Sequence, residues 1–371
     1  MANFLTSFFQ KKSESVLGID IGASAIKVVQ LHKKGGKAIL DTYGEIALGP
    51  YANLEVGRAT SLGVDKTSEA LTDVLRESNT ATKKCGMAIP FGSSLMTIME
   101  MPALPQKQLA QMIPIEARKY IPVPISEVLL DWWVIPKPEN RFFGADDEQM
   151  TGGQKPEKID ILAVAIHNDT ITKYQEIIER SGLDASFFEI EIFSTIRSIL
   201  EQDIAPVAVI DMGAALTKLY IVERGVVKSS HTINRGSQDI TIAISRAFSI
   251  DMAAAEVLKR TYGLPTAPKD KDIGEMVALS LDYVFSEANR ILMNYQKKFN
   301  RTISKIMCVG GGVKVHQFLA LAKTHFTTEV FLGDPFSKIE APAFLEELLK
   351  TTGPEFAVAV GIGLRKLHEF E

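Results

Sequence analysis

Two stretches far apart in the chain share one pattern of apolar and polar positions. The first reads Val16-Leu-Gly-Ile-Asp20-Ile-Gly22-Ala-Ser-Ala-Ile-Lys27-Val-Val, the second Val207-Ala-Val-Ile-Asp211-Met-Gly213-Ala-Ala-Leu-Thr217-Lys218-Leu-Tyr. With one constant offset Asp20 falls on Asp211, Gly22 on Gly213, Ala23 on Ala214 and Lys27 on Lys218. An apolar run, Asp-x-Gly with small residues and a second, alternating run predict strand, tight turn and strand. After the first hairpin, Lys37–Leu48 predicts a further strand. A helix is expected over Lys66–Ser78, with Ala70, Leu71, Val74 and Leu75 on one face, and a short buried strand over Cys85–Pro90. Together these make a β-β-α-β unit.

From Leu95 to Leu183 the texture changes. Strand Leu95–Met101, a proline-bounded helix Gln106–Tyr120, strand Val128–Ile135, strand Ile159–Ile166 and helix Asp169–Ser181 predict a small split-βαβ-like inserted domain. Its loop Lys137–Lys158 holds Asp146, Asp147 and Glu148 among glycines. It reads as a mobile hairpin tip, because the spaced ligands and terminal Glu of a calcium loop are absent. The rest rebuilds the first architecture: helix Ile190–Gln202, the second hairpin, then helices Ser237–Phe248, Met252–Tyr262 and Glu275–Phe299. Strand Lys305–Val309 runs into Gly310-Gly311-Gly312 and a helix from Lys314 to about Ala322, and a small-residue helix around Pro354–Leu364 closes the chain.

The 371 residues suffice for two or three domains with real cores, and 46% apolar with 23% charged residues is an ordinary globular composition. A net charge of −4 argues against a binder driven by nucleic-acid phosphates. Cys85 and Cys308 show no metal-ligand or disulfide spacing and are expected reduced inside strands, which suits the cytosol. No apolar run approaches the roughly 20 residues of a membrane span. The leader places Phe4, Leu5, Phe8 and Phe9 on one helical face before Lys11 and Lys12. It lacks a signal peptide's features, and a peripheral anchor and a loose or core-docked segment are both open readings.

Clustered N–H groups at a glycine turn bind an anion, so two such turns facing each other would clamp a polyphosphate from both sides. Lys27 can reach β- or γ-phosphate or be a solvated strand lysine. Asp20 and Asp211 suit Mg²⁺ held through water, and equally suit capping of their own turns. Gly310–Gly312 allows a flat adenine against backbone, or is only a tight strand-to-helix turn. The P-loop, His-Glu-x-x-His and Gly-x-Ser-x-Gly patterns are absent. His32, His167, His231, His316, His325 and His368 are scattered, without ligand spacing.

The series of Asp-x-Gly hairpin, middle helix, second hairpin, Gly-Gly-Gly turn and Gly-x-Gly closing helix resembles the signature of the actin/Hsp70/sugar-kinase ATPase fold. Three stretches are more specific. Phe8-Phe9-Gln-Lys-Lys with Val16–Leu31, the run from Ile115 through Ile121-Pro-Val-Pro124 to Asp131-Trp132, and Asn234–Ile240 with Ala254–Lys259 resemble the PilM family of actin-like type IV pilus assembly proteins. The resemblance covers nearly the whole chain. It implies an α/β actin/Hsp70-like ATPase fold of duplicated RNase H-like halves with an FtsA-like inserted 1C subdomain. In those terms 1–15 is a leader, 16–92 the first part of subdomain 1A, 93–184 subdomain 1C, 185–206 and 354–371 the rest of 1A, and 207–353 domain 2 (2A/2B).

The resemblance also implies a cytoplasmic ATP-binding scaffold attached to the inner membrane through partners. ATP with Mg²⁺ would lie between the halves, and the cytoplasmic N-terminal tail of PilN in a groove between 1A and 1C, near Ile121–Pro124. Gly22, Ser24 and Lys27 would contact phosphate from one side, Gly213 and Thr217 from the other. Gly311 and Gly312 would hold adenosine, with Glu256 and Lys259 near the ribose. Ala23, Ala214, Gly236 and Val313 complete the nucleotide-contacting set, and Glu191 falls where relatives orient the attacking water. Ala23 stands where many relatives supply a serine hydroxyl, and Ala214 where actin carries an acid, so slow or absent hydrolysis is expected. Self-association, common in this fold, is left open. A small-molecule (sugar or acid) kinase is the alternative reading. An FtsA-like division protein is less expected, because the sequence stops at Glu371 without a terminal amphipathic helix.

Overall fold

The computed structural model describes residues 15–136, 158–262, 271–316 and 318–368. The leader and the acidic loop at Asp146–Glu148 lie outside the described residues. Contacts divide the chain into two compact units, Phe91–Tyr174 and the chain before and after it.

The larger unit begins with β1 (Ser15–Ile21), β2 (Ala25–Lys34), β3 (Lys37–Ala47), α1 (Val64–Glu77) and β4 (Lys84–Ile89). β1 and β2 pair antiparallel with Asp20 opposite Lys27 and Ile21 opposite Ile26. Their apolar residues are buried in an almost unbroken run because this sheet is covered on both faces. α1 buries Ala70, Leu71, Val74 and Leu75, as its period requires.

The smaller unit contains β5 (Ser94–Pro102), α2 (Gln106–Ala117), β6 (Val128–Ile135), β7 (Lys158–His167) and the start of α3 (Asn168–Arg180). Its sheet has the order β5-β7-β6. Met99, Met101, Ile161, Ala163 and Ala165 pack with Leu109, Ile113 and Ala117 of α2 in its core. Proline bounds α2 at its start, where Pro105 is the N-cap, a second proline, Pro114, lies inside it, and the helix ends at Ala117 instead of Tyr120.

The larger unit resumes with β8 (Asp184–Ile190), α4 (Glu191–Ile199), β9 (Val207–Met212), β10 (Thr217–Glu223) and β11 (Val226–Ile233). It continues with α5 (Ser237–Phe248), α6 (Met252–Tyr262), α7 (Lys271–Phe299), β12 (Lys305–Val309), α8 (Phe318–His325), β13 (Val330–Leu332), α9 (Glu346–Thr352) and α10 (Ala357–His368). The expected helix from Lys314 is instead a 3₁₀ turn, Gly311–Lys314, and a separate α8. β8, which the sequence reading lacks, completes a five-stranded sheet of order β3-β2-β1-β4-β8, and the second sheet repeats it as β11-β10-β9-β12-β13. The parallel partner of the hairpin is β4 in one half and β12 in the other. The duplication seen in one motif thus extends to strand order and direction.

α10 fits the first half only through missing side chains. A Cβ on Gly361 would stand 1.9 Å from the Ser194 carbonyl oxygen, and one on Gly18 2.0 Å from that of Ala359. Buried Glu189 ties the same region together, bonded by Ser194 Oγ at 2.6 Å, twice by Arg197 (2.7 and 2.8 Å) and by Arg365 at 2.9 Å. Cys85 and Cys308 are free and buried in strands, and burial pushes both thiols up to about 12.

Candidate functional site

Both hairpin tips are built alike. The Gly22 N–H donates to the Ala25 carbonyl and the Gly213 N–H to that of Leu216, each at 3.0 Å. Neither glycine has a left-handed φ. A Cβ there would only crowd the carbonyl across the turn, at 3.2 and 3.1 Å. The turn carbonyls are tied away from the tip: Ala23 to the Thr60 N–H, Ser24 to that of Leu48, Gly213 to Ser237 and Ala214 to Gln238. Among the described residues no acceptor takes the amides of Ala23, Ser24, Ala214 or Ala215. These turns therefore present donors, the arrangement an anion requires.

Charges converge where the hairpins begin. Asp20, Lys27 and Glu45 stand in register across β1, β2 and β3, with Lys27 Nζ 3.5 Å from Glu45. In the second half Lys218 lies opposite Asp211 and reaches Asp211 at 3.0 Å and Glu191, first residue of α4, at 2.6 Å. Burial raises the Asp20 carboxyl to about 6; Lys27 opposes that shift, Glu191 and Asp211 add to it, and Lys218 lowers it. The two halves thus share one electrostatic cluster. Burial works against both lysine charges, but their carboxylates prevail and raise each ammonium above its usual range: Glu45 and Asp20 for Lys27, Asp211 and Glu191 for Lys218.

The three glycines after β12 differ in what they are for. Gly310 has φ +90°, and a Cβ on it would meet the Met212 carbonyl oxygen at 2.5 Å. One on Gly312 would meet Met212 Cγ at 2.4 Å, so both hold the turn against the second hairpin. Gly311 is exposed, with only Glu355 Oε2 at 3.6 Å from such a Cβ. Beside it Lys314 pairs with buried Glu355 at 2.7 Å, and Val313 is buried.

Glu256 and Lys259 are buried and paired at 2.6 Å. Thr241 and Arg260 also bond Glu256, at 2.7 and 2.8 Å. Burial presses the Glu256 carboxyl upward, but Lys259 and these donors hold it below its usual range, while burial lowers Lys259. The loop of the first half reaches this cluster. Gly57, at φ +89°, would place a Cβ 3.3 Å from Glu256 Cδ, and the Ala59 N–H donates to Gln238 Oε1 at 2.6 Å.

Most residues singled out in the sequence therefore gather around the two hairpins, Gly310–Gly312 and the α5–α6 pair. Gly236 is the N-cap of α5, its N–H donating to the Asp239 carboxylate at 2.8 Å, and it touches the Ala214 backbone, where a Cβ would stand 2.3 Å from the carbonyl oxygen. Thr217 is fully buried and donates its hydroxyl to the Arg235 carbonyl at 2.8 Å. Glu45, Glu355, Lys314 and Gln238 escape the sequence reading. Lys218 is visible there only as the repeat of Lys27. Locating Glu45 opposite Lys27 needs the bulge at Gln30/Leu31, which no local pattern marks.

The sequence model described as type IV pilus assembly protein PilM matches residues 18–367. Cell division protein FtsA of Neisseria meningitidis serogroup B is 25% identical over 166 residues, 44% of this chain and 39% of that protein, so the chain matches well under half of that relative's length. Among solved structures, the PilM–PilN type IV pilus biogenesis complex matches with a TM-score of 0.78 at 24% identity, covering 95% of this chain and 98% of that one. The ethanolamine utilization protein EutJ from Carboxydothermus hydrogenoformans gives 0.56 at 12%, covering 95% and 89%. MreB 5 of Spiroplasma citri bound to AMPPNP gives 0.55 at 9%, covering 96% and 98%.

Proposed function

The chain belongs to the PilM family of type IV pilus assembly proteins, and on that premise we propose that it is an ATP-binding scaffold of the pilus assembly platform. Its fold is the actin-like ATPase fold. The observation that carries the nucleotide reading is the pair of hairpin turns in one compact unit, each with its carbonyls tied back and its amides outward. Backbone donors on two sides, with Lys27 behind one of them, suit the phosphates of ATP. Gly311 offers the open backbone that adenosine needs, and Glu256 with Lys259, paired with each other at 2.6 Å, are the residues proposed near the ribose. MreB 5 on the same fold is bound to AMPPNP, which supports that reading.

Mg²⁺ bound with ATP would neutralise phosphate charge. Among the described residues no group of three or more metal-ligating side chains gathers. Asp20 and Asp211 would therefore hold Mg²⁺ through water and phosphate rather than in a protein cage. Turnover is expected to be slow. Ala23 and Ala214 bring no side-chain donor, and Glu191, the candidate for orienting water, is held by Lys218.

The partner in this proposal is the cytoplasmic N-terminal tail of PilN, supported by the solved PilM–PilN complex on the same fold. The peptide groove implied by the family resemblance, and the 1A, 1C and domain 2 assignments that go with it, are part of the proposal. No described helix is long and apolar enough to cross a membrane. Attachment to the inner membrane would come through the partner. The comparisons lend no support to the kinase alternative.

Calorimetric titration with Mg-ATP, followed by titration with a peptide of the PilN N-terminal tail, tests both parts. Saturable binding of each is the expected result. Failure of ATP removes the nucleotide role, and failure of the peptide at saturating ATP removes the scaffold role.

A further inference from the structure

The two halves differ at one sheet edge. The outer edge of β3 is covered: Leu40 donates to the Glu340 carbonyl at 2.9 Å, Glu340 donates to that of Ala38 at 2.8 Å, and Lys37 pairs with the Glu340 side chain. β11 holds the same place in the second sheet. Among the described residues β10 is its one strand neighbour, and no other residue bonds the backbone of Val226–Thr232. An uncovered edge is a row of donors and acceptors ready for another strand.

Beside that edge runs a cavity of about 450 Å³, lined along β11 from Lys228 to Ile233 and along one face of α7. Tyr283, Glu287, Arg290, Asn294 and Lys298 recur at helical spacing on that face. They span roughly 22 Å of helix, and the eight residues of β11 extend to about 26 Å. An exposed edge strand is the setting in which extended peptides add to sheets.

The charge of the groove runs against that of the chain, which carries −4 overall. Arg290 donates to Glu287 at 2.6 Å, whereas neither Lys228 nor Lys298 pairs with a carboxylate among the described residues. Arg235 lies 5.5 Å over the Tyr283 ring and Lys298 5.0 Å over Phe299, and both rings are about half exposed. Burial and the nearby Arg290 lower the pKa of His231, so the lysines carry the field at neutral pH.

We propose that the β11–α7 groove docks an acidic, extended segment of another protein, which adds to β11 as a further strand. The bare strand edge favours a peptide over a nucleic acid, which would find no backbone ladder to complete. This site is independent of the nucleotide cleft and does not rest on the function proposed for it.

The test uses a fluorescein-labelled seven-residue peptide alternating glutamate and valine, followed by anisotropy on the whole protein. Saturable binding is expected, weakened about tenfold or more by Lys228→Glu with Lys298→Glu, since rim and groove charges set such affinities. The same peptide N-methylated on alternate backbone nitrogens should not bind wild type, a result that needs no variant. The milder Lys228→Gln with Lys298→Gln should weaken binding less, at an unchanged thermal midpoint. Equal binding of a lysine–valine peptide or of the N-methylated one would overturn the proposal. So would tighter binding of oligothymidylate, or a dimer in sedimentation that the charge variant dissolves.

Discussion

The Lys218 ammonium lies 2.6 Å from Oε2 of Glu191 and 3.0 Å from Oδ2 of Asp211. One side chain thus neutralises the acid that opens α4 and the acid one residue before the end of β9. The repeat makes Lys218 the counterpart of Lys27, yet the two do different work. Lys27 pairs with Glu45 and stands opposite Asp20 within its own sheet, whereas Lys218 joins the second hairpin to the helix entering from the first half.

Lys218→Met should lower stability by roughly 3 kcal/mol, because it leaves two buried carboxylates without their cation. Adding Glu191→Gln should recover part of that loss, as read from denaturant midpoints. In phosphate-release assays Lys218→Met should hydrolyse ATP faster than wild type, with the gain lost in the double variant. An unchanged rate would mean that Glu191 does not address water.

Lys27→Ala should weaken Mg-ATP by about tenfold or more, since a charge-assisted contact to phosphate contributes on the order of 1.5–3 kcal/mol. The measurement is calorimetry beside wild type. Equal affinities would make Lys27 a partner of Asp20 and Glu45 only.

The glycine turn separates fold from binding. Gly310→Ala should cost about 2 kcal/mol or more, from its left-handed φ and its approach to Met212. Gly311→Ala should stay within about 0.5 kcal/mol of wild type, as substitutions in open space usually do. It should still weaken ATP binding. A Gly311→Ala variant with full affinity would remove that glycine from the nucleotide contact.

Asp20 keeps its proton to about pH 6 in the folded protein but loses it near 3.8 when unfolded. Between those values the folded state binds more protons, so stability of the nucleotide-free protein should fall as pH rises from about 4 to about 6. Asp20→Asn should flatten that fall in urea melts run across the range. A slope unaffected by the substitution would place the titration elsewhere.

Local pattern carried much of this fold. β6, α5, α6 and β12 begin and end where alternation and helical period put them. The Asp-x-Gly repeat was readable because hairpin pairing is short-range: Asp20 meets Lys27, and Asp211 meets Lys218, within eight residues of chain. β8 was not readable. Its Phe187 and Phe188 form no clean alternation, and its strand character comes from pairing with β4 across the smaller unit. The break at Val315–His316 was hidden for a similar reason, since nothing there forbids a helix.

By itself the sequence determined the duplication, the hairpin tips and the residue types around them, because strands and tight turns are set by neighbours in the chain. Only the tertiary structure decided which charges meet. That Glu45 stands by Lys27, that Glu355 lies under Gly311 and that Lys218 reaches Glu191 depend on a bulge, a closing helix and the approach of two halves. Those are long-range packing outcomes, fixed by the burial of whole faces and invisible to any local window.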